Sequence, residues 1–212
     1  YPSSPRSGPP MSPEFESSAA RLRHSALQYG LAGQAAQEGP VVPRAKAFLQ
    51  EAREIQLAAH RAGLPGDEVA KLRSDAIDIV IDALYLRAGP AAASLTLVAT
   101  GGYGRAELCP LSDIDLLVLV PAHTAETKQA VETILYPLWD VGLKVGQSVR
   151  TVAEAADYAR NDLHLHVALL ETRLLCGERS QFTQLEGRLS ELLSGQAWQP
   201  LAKAIVESQR KR

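Results

Sequence analysis

Leu95–Val120 reads LTLVATGGYGRAELCPLSDIDLLVLV, and the fold is decided here. Leu95-Thr96-Leu97-Val98-Ala99-Thr100 is a short, partly β-branched apolar run that stops at Gly101-Gly102, the pattern of a buried strand entering a tight turn. Asp113-Ile114-Asp115-Leu116-Leu117-Val118-Leu119-Val120 is a second strand, ended by Pro121. Side chains alternate along a strand, so Asp113 and Asp115 share one face while Ile114 enters the core. Two carboxylates on one face repel, and a divalent cation relieves them. Magnesium suits such hard oxygen ligands, because it takes one or two carboxylates together with substrate phosphates. The glycines leave backbone N–H groups open to a phosphate where a Cβ would stand in the way. A helix expected to start near Tyr103 adds the positive end of its dipole. Ser112 can donate to a phosphate oxygen, and Arg105 can either neutralise a phosphate or pair with Glu107 or another acid. The expected product is a metal–triphosphate site, and the reaction class is nucleotidyl transfer, in which two metals about 3.5–4 Å apart stabilise the attacking and leaving oxygens.

The pieces are individually weak and jointly specific. Nine aspartates in 212 residues give roughly 0.4 D-x-D triplets by chance, so the triplet alone decides nothing. Gly102-x-Gly104 is followed by Glu107 where a dinucleotide fingerprint needs glycine, and there is no G-K-[ST] of a P-loop. The order strand, Gly-Gly, D-x-D strand is what carries the reading, against a structural glycine turn with solvated aspartates.

Working outward, Ala47, Phe48, Leu49, Ala52, Ile55, Ala58 and Ala59 keep a helical period from Pro43 to Arg61. Gly63-Leu64-Pro65-Gly66 breaks it, Asp67 is expected as the N-cap of a second helix through Val69, Leu72, Ala76, Val80 and Leu84, and Gly89-Pro90 ends that helix. After the second strand a helix is expected over Glu126–Trp139, a third strand over Leu143–Val149, and helices over Glu154–Arg160 and Leu163–Leu175. The fold class is therefore α/β (α+β), a small mixed sheet flanked by helices with a helical N-terminal part and a helical C-terminal extension. The expected boundaries are 1–42 as a disordered or cloning-derived segment, since YPSSPRSGPPMSPEFESS is rich in Pro, Ser and Gly; 43–93 as N-terminal helices; 94–152 as the core; and 153–212 as the extension. The chain reads as a fragment of a longer protein.

Composition sets the outer limits. Twenty-two basic against 24 acidic side chains give a formal charge of −2, so there is no electrostatic argument for nucleic acid or an anionic membrane as partner. No apolar run approaches the ~18 residues of a membrane span. Cys109 and Cys176 are too few and too far apart for a disulfide framework or a paired zinc site, which points to a reducing cytoplasm.

Ala99–Val120, ATGGYGRAELCPLSDIDLLVLV, resembles the nucleotidyltransferase signature of the DNA polymerase beta superfamily. With Leu138-Trp139-Asp140-Val141-Gly142-Leu143, Val145-Gly146, Ser148-Val149-Arg150-Thr151 and Leu170–Gly177 it is similar, over roughly Lys46–Arg212, to the bacterial PII uridylyltransferase/uridylyl-removing family. That resemblance implies a nucleotidyltransferase fold and transfer of UMP from UTP to a tyrosine of the PII nitrogen-signalling protein. It implies triphosphate contacts at Gly101 and Gly102, and magnesium on Asp113 and Asp115. One carboxylate, or a third acid, would help deprotonate a phenol whose ordinary pKa is near 10. It also implies that hydrolytic HD and glutamine-sensing ACT domains lie beyond this stretch. The superfamily has a third carboxylate on a neighbouring strand; Lys144 stands where an acid is expected, leaving Asp140 and Asp162. A nucleotidyltransferase that adenylylates glutamine synthetase, and a catalytically silent module of the same fold, are the other readings. Among lesser residues, Arg150 is weighed as a nucleotide contact or a structural group, Cys109 as a small packing residue, Trp139 as a core residue against a base-stacking platform, Tyr103 as packing over the glycine turn, and His164 and His166 as a metal pair only if they lie on a strand.

Overall fold

The computed structural model describes residues 11–161 and 167–193. Helices α1 (Pro13–Gln28), α2 (Val41–Arg61) and α3 (Gly66–Ala88) precede β1 (Thr96–Ala99). The one-turn helix α4 (Gly101–Gly104) leads to β2 (Ile114–Leu119), then α5 (Ala125–Asp140), β3 (Val145–Arg150), α6 (Val152–Asn161), β4 (Arg173–Gly177) and α7 (Arg179–Leu193). The sheet order is β3-β2-β1-β4. β1 runs antiparallel to both β2 and β4, whereas β2 and β3 are parallel and are joined by the α5 crossover.

Alternation sorts the sheet into two buried faces. Leu97, Ala99, Ile114, Leu116 and Val118 pack with Val80, Ile81 and Leu84 of α3 and Ile134 and Leu138 of α5. Val98, Leu117 and Leu119 face the opposite way, onto Ala155 and Ala159 of α6, Leu169, and Phe182, Leu185 and Leu189 of α7. Asp115 belongs to this second face, at the start of β2.

Four local readings are corrected. Residues 13–28 form a helix, although no element was expected before Pro43: Phe15, Ala19, Leu22 and Ala26 are buried at a helical spacing, and the Ser12 side chain caps the Phe15 N–H at 3.2 Å. Asp67 is not the cap of α3; Pro65 occupies that place without a side-chain hydrogen bond, and Asp67 sits in the first turn as an acid at the positive end. Of the helix expected over Leu163–Leu175, residues 163–166 lie outside the described residues and 167–169 are helical, but from Arg173 the chain is a strand, because pairing with β1 lets Leu174 and Leu175 enter the two opposite cores. Gly177 makes that pairing possible: its φ is +103°, and a Cβ there would stand 2.1 Å from the Leu95 carbonyl oxygen. Trp139 is 42% exposed and lies against Tyr136 with ring centroids 5.6 Å apart, so it is not a core residue.

Candidate active site

β1 delivers the chain to the glycine turn, and the Thr100 N–H bonds the Asp115 carbonyl at 3.1 Å, which ties the end of β1 to the start of β2. Gly101 has a φ of +59°, and a Cβ placed on it would come 3.9 Å from Asp115 Oδ2. The first glycine and the second aspartate, 14 positions apart in sequence, thus meet. Glycine is required at Gly104 for a different reason: a Cβ there would lie 1.8 Å from the Glu171 carbonyl oxygen, so the chain entering β4 presses directly on the turn. α4 is a single turn beginning at Gly101, earlier and shorter than the helix expected from Tyr103. It has no macrodipole of consequence, and what it offers a phosphate is the first N–H groups of the turn, which lack intrahelical partners. Tyr103 packs on the turn from its buried side. It is 1% exposed, beneath the turn, and its hydroxyl donates to Asp78 Oδ1 at 2.6 Å.

Asp113 precedes the ladder of β2 and Asp115 lies within it, with Ile114 buried between them as the alternation requires. Partial burial, and then the charge of Asp113, push the Asp115 carboxyl above the ordinary range. Among the described residues no basic side chain or hydrogen-bond donor pairs with either carboxylate. An acidic pair left without a counter-charge, beside open N–H groups, fits a divalent cation carrying phosphates. Gly146 of β3 stands opposite Asp115 in the parallel register, and a Cβ on it would lie 2.6 Å from Asp115 Oδ1. That space is occupied by the carboxylate, so the glycine of the Val145-Gly146 pair, to which the sequence reading gave no role of its own, makes room for Asp115.

An open cavity of 410 Å³ extends from Asp115 between the sheet and its helical cover, lined by Thr100, Gly146, Ser148, Arg150 and Leu169 among others. This lies within the volume range of small-molecule sites. Arg150 lines it with its guanidinium 3.8 Å over the Tyr158 ring and its Nε buried without a partner. Arg105 donates to Glu107 Oε2 at 2.7 Å and also pairs with Glu171, so its charge is shared by two acids. Ser112 is exposed beside Asp113, and the exposed Leu111 before it has a left-handed φ of +69°. Asp140 ends α5 and does not line the Asp115 cavity; Asp162, His164 and His166 lie outside the described residues. Lys144 lies one step before the ladder that pairs Ile114 with Val145, and its carbonyl accepts the Ile114 N–H at 2.9 Å. Among the described residues no three metal-ligating side chains converge. No helix there is long and apolar enough to cross a membrane.

A family model for the nucleotidyltransferase domain matches residues 89–175, which contain the turn, both aspartates, β3 and most of β4. A bifunctional uridylyltransferase/uridylyl-removing enzyme of Bradyrhizobium sp. strain BTAi1 is 36% identical over 219 aligned positions, covering 98% of this chain and 24% of that protein. Enzymes of the same description from Bordetella avium (42% identical; 72% of this chain, 18% of that protein) and Rhodopseudomonas palustris (39%; 78% and 19%) are also similar. The chain thus spans about a quarter or less of the length of these relatives. The chain belongs to the nucleotidyltransferase family and is similar, over most of its length, to a part of the bifunctional uridylyltransferase/uridylyl-removing enzymes.

Proposed function

We propose that this chain transfers UMP from UTP to a tyrosine hydroxyl of a PII-type signalling protein, releasing pyrophosphate in the cytoplasm. The observation that carries the chemistry is the meeting of Gly101 with the Asp115 carboxylate, which puts phosphate-binding N–H groups and an uncompensated acidic pair at one sheet end. The choice of uridylyl rests on the activity by which the relatives are named.

In this mechanism the N–H groups of Gly101 and Gly102 and the Ser112 hydroxyl hold the triphosphate, and Arg105 trades one of its two glutamates for a phosphate oxygen. Asp113 and Asp115 would hold magnesium, which when bound neutralises the triphosphate and draws electrons from the α-phosphorus. The acceptor phenol loses its proton to a carboxylate at the site, its oxygen forms the new bond to the α-phosphorus, and the bond to the β-phosphate breaks as pyrophosphate leaves. The cavity beyond Asp115, walled by Ser148 and Arg150, is where the nucleoside lies.

The test is incubation of the chain with PII protein, magnesium and either UTP or ATP, followed by the intact mass of PII. A UMP-sized increment with UTP alone is the expected result, and Asp113→Asn with Asp115→Asn lowers it by at least about 10²-fold at an unchanged melting temperature. An AMP-sized increment with ATP instead would make the chain a different protein nucleotidyltransferase. No increment and no nucleotide binding would make it a silent module.

A further inference from the structure

The glycine turn cannot hold its own shape. Gly101-Gly102-Tyr103-Gly104 is one helical turn, too short to be stable alone, and three of its four residues have the greatest backbone freedom of any type. Its position must therefore be imposed from outside, and Tyr103 is its one side chain. That side chain is buried, and its hydroxyl donates to Asp78 of α3 at 2.6 Å. Asp78 in turn accepts two bonds from Arg173 of β4, at 2.6 and 3.1 Å, while the same guanidinium donates to the Tyr103 carbonyl at 3.3 Å. One helical turn earlier on α3, the buried Ser74 hydroxyl accepts the Leu108 N–H at 3.2 Å. α3 thus grips the segment at two points four residues apart, before and after the Ala106 bend, whose φ is +59°. The approach to β4 grips it as well, through Arg173 beneath and through Glu171, which pairs with Arg105 outside.

We propose that Asp78, Tyr103 and Arg173 form a positioning triad that fixes the glycine turn against Asp115, so that nucleotide affinity depends on residues that touch no nucleotide. This rests on the nucleotidyl-transfer reading of the turn. The hydroxyl-to-carboxylate bond is charge-assisted and the phenol is desolvated, which makes it both strong and costly to leave unmade. Its loss frees Tyr103 to shift, and the N–H groups of Gly101 and Gly102 move with it.

The experiment uses the chain with Tyr103→Phe as the mild variant and Asp78→Asn as the stronger one. Calorimetry measures affinity for the magnesium complexes of UTP and ATP, melting temperature reports folding, and hydrogen exchange reports the Gly104 and Arg105 amides, which bond the Thr100 and Gly101 carbonyls. The expected result is about tenfold weaker nucleotide binding in folded Tyr103→Phe, a larger loss in Asp78→Asn, and faster exchange at those two amides with β2 unchanged. A purely structural role would lower the melting temperature and leave the affinity of the folded protein alone. Wild-type affinity in folded Tyr103→Phe therefore overturns the triad, and this variant decides the matter even if Asp78→Asn does not fold. A wild-type chain that binds neither nucleotide removes the nucleotidyl-transfer reading and the triad together, whereas binding by wild type with unaltered variants removes the triad alone.

Discussion

Gly146→Ala separates the site from the fold more cleanly than any substitution in the glycine turn. The added Cβ would lie 2.6 Å from Asp115 Oδ1, against about 3.4 Å for an ordinary carbon–oxygen contact, so roughly 0.8 Å must be found. The atom in the way is the free end of a rotatable carboxylate and not backbone. It turns aside for about 0.5–1.5 kcal/mol of side-chain strain, offset by about 0.4–1 kcal/mol from the lower entropy of the unfolded alanine chain. Stability should therefore hardly change, with the melting temperature within about 3 °C of wild type. Asp115, however, leaves the place where it faces Gly101, and a displacement near 1 Å at a reacting centre is worth about 10² in rate. The assay is UMP transfer to PII, followed by intact mass and normalised to folded protein, beside a thermal melt. Transfer within about twofold of wild type at an unchanged melting temperature would refute the argument that Gly146 exists to make room for Asp115. A melting temperature lowered by more than about 10 °C would show that β3 yields and not the carboxylate.

The surface offers two more tests. Gly187 lies on the exposed face of α7 with an ordinary φ and open space where a β-carbon would stand, so Gly187→Ala should stabilise the chain by about 0.5–1 kcal/mol, read as a melting temperature about 1–4 °C higher with transfer unaffected. Glu154 accepts the Thr151 N–H at 2.8 Å and contacts His123 at 2.8 Å, and these, the backbone bond first, hold its carboxyl down at about 2. Because the folded value is depressed, its contribution to capping α6 is complete above the ordinary carboxylate range and is lost as pH falls toward 2. A carboxyl NMR titration of Glu154 with a midpoint near 4.5 would contradict the cap.

Much of this was legible because it is local. Leu95–Val120 announces two strands and a glycine turn, and alternation alone places Ile114 in the core and Asp115 on the face that holds the cavity. β4 was hidden because Arg173-Leu174-Leu175-Cys176-Gly177 carries no β-branched residue, and its strand character comes from β1, more than 70 positions earlier in the chain. α1 was hidden by the Pro- and Ser-rich opening, although Phe15, Ala19, Leu22 and Ala26 show the period plainly. Val145-Gly146 stands out only as part of a resemblance and Asp78 carries no motif: the glycine matters for the side chain it lacks and the aspartate for a partner 95 residues away, and both relations exist only in three dimensions.

The grip of Arg173 on Asp78 also sets an order of events during synthesis. A nascent chain that has emerged as far as Val120 already holds both aspartates and the hairpin of β1 with β2. It lacks Gly146 beside Asp115 until β3 arrives, and Arg173 beneath Tyr103 until β4 does. Contacts of such long separation in sequence form late, after the loop entropy between them has been met. The core of this domain can therefore condense while its glycine turn is still loose, and the turn is fixed against Asp115 only once β4 has paired with β1.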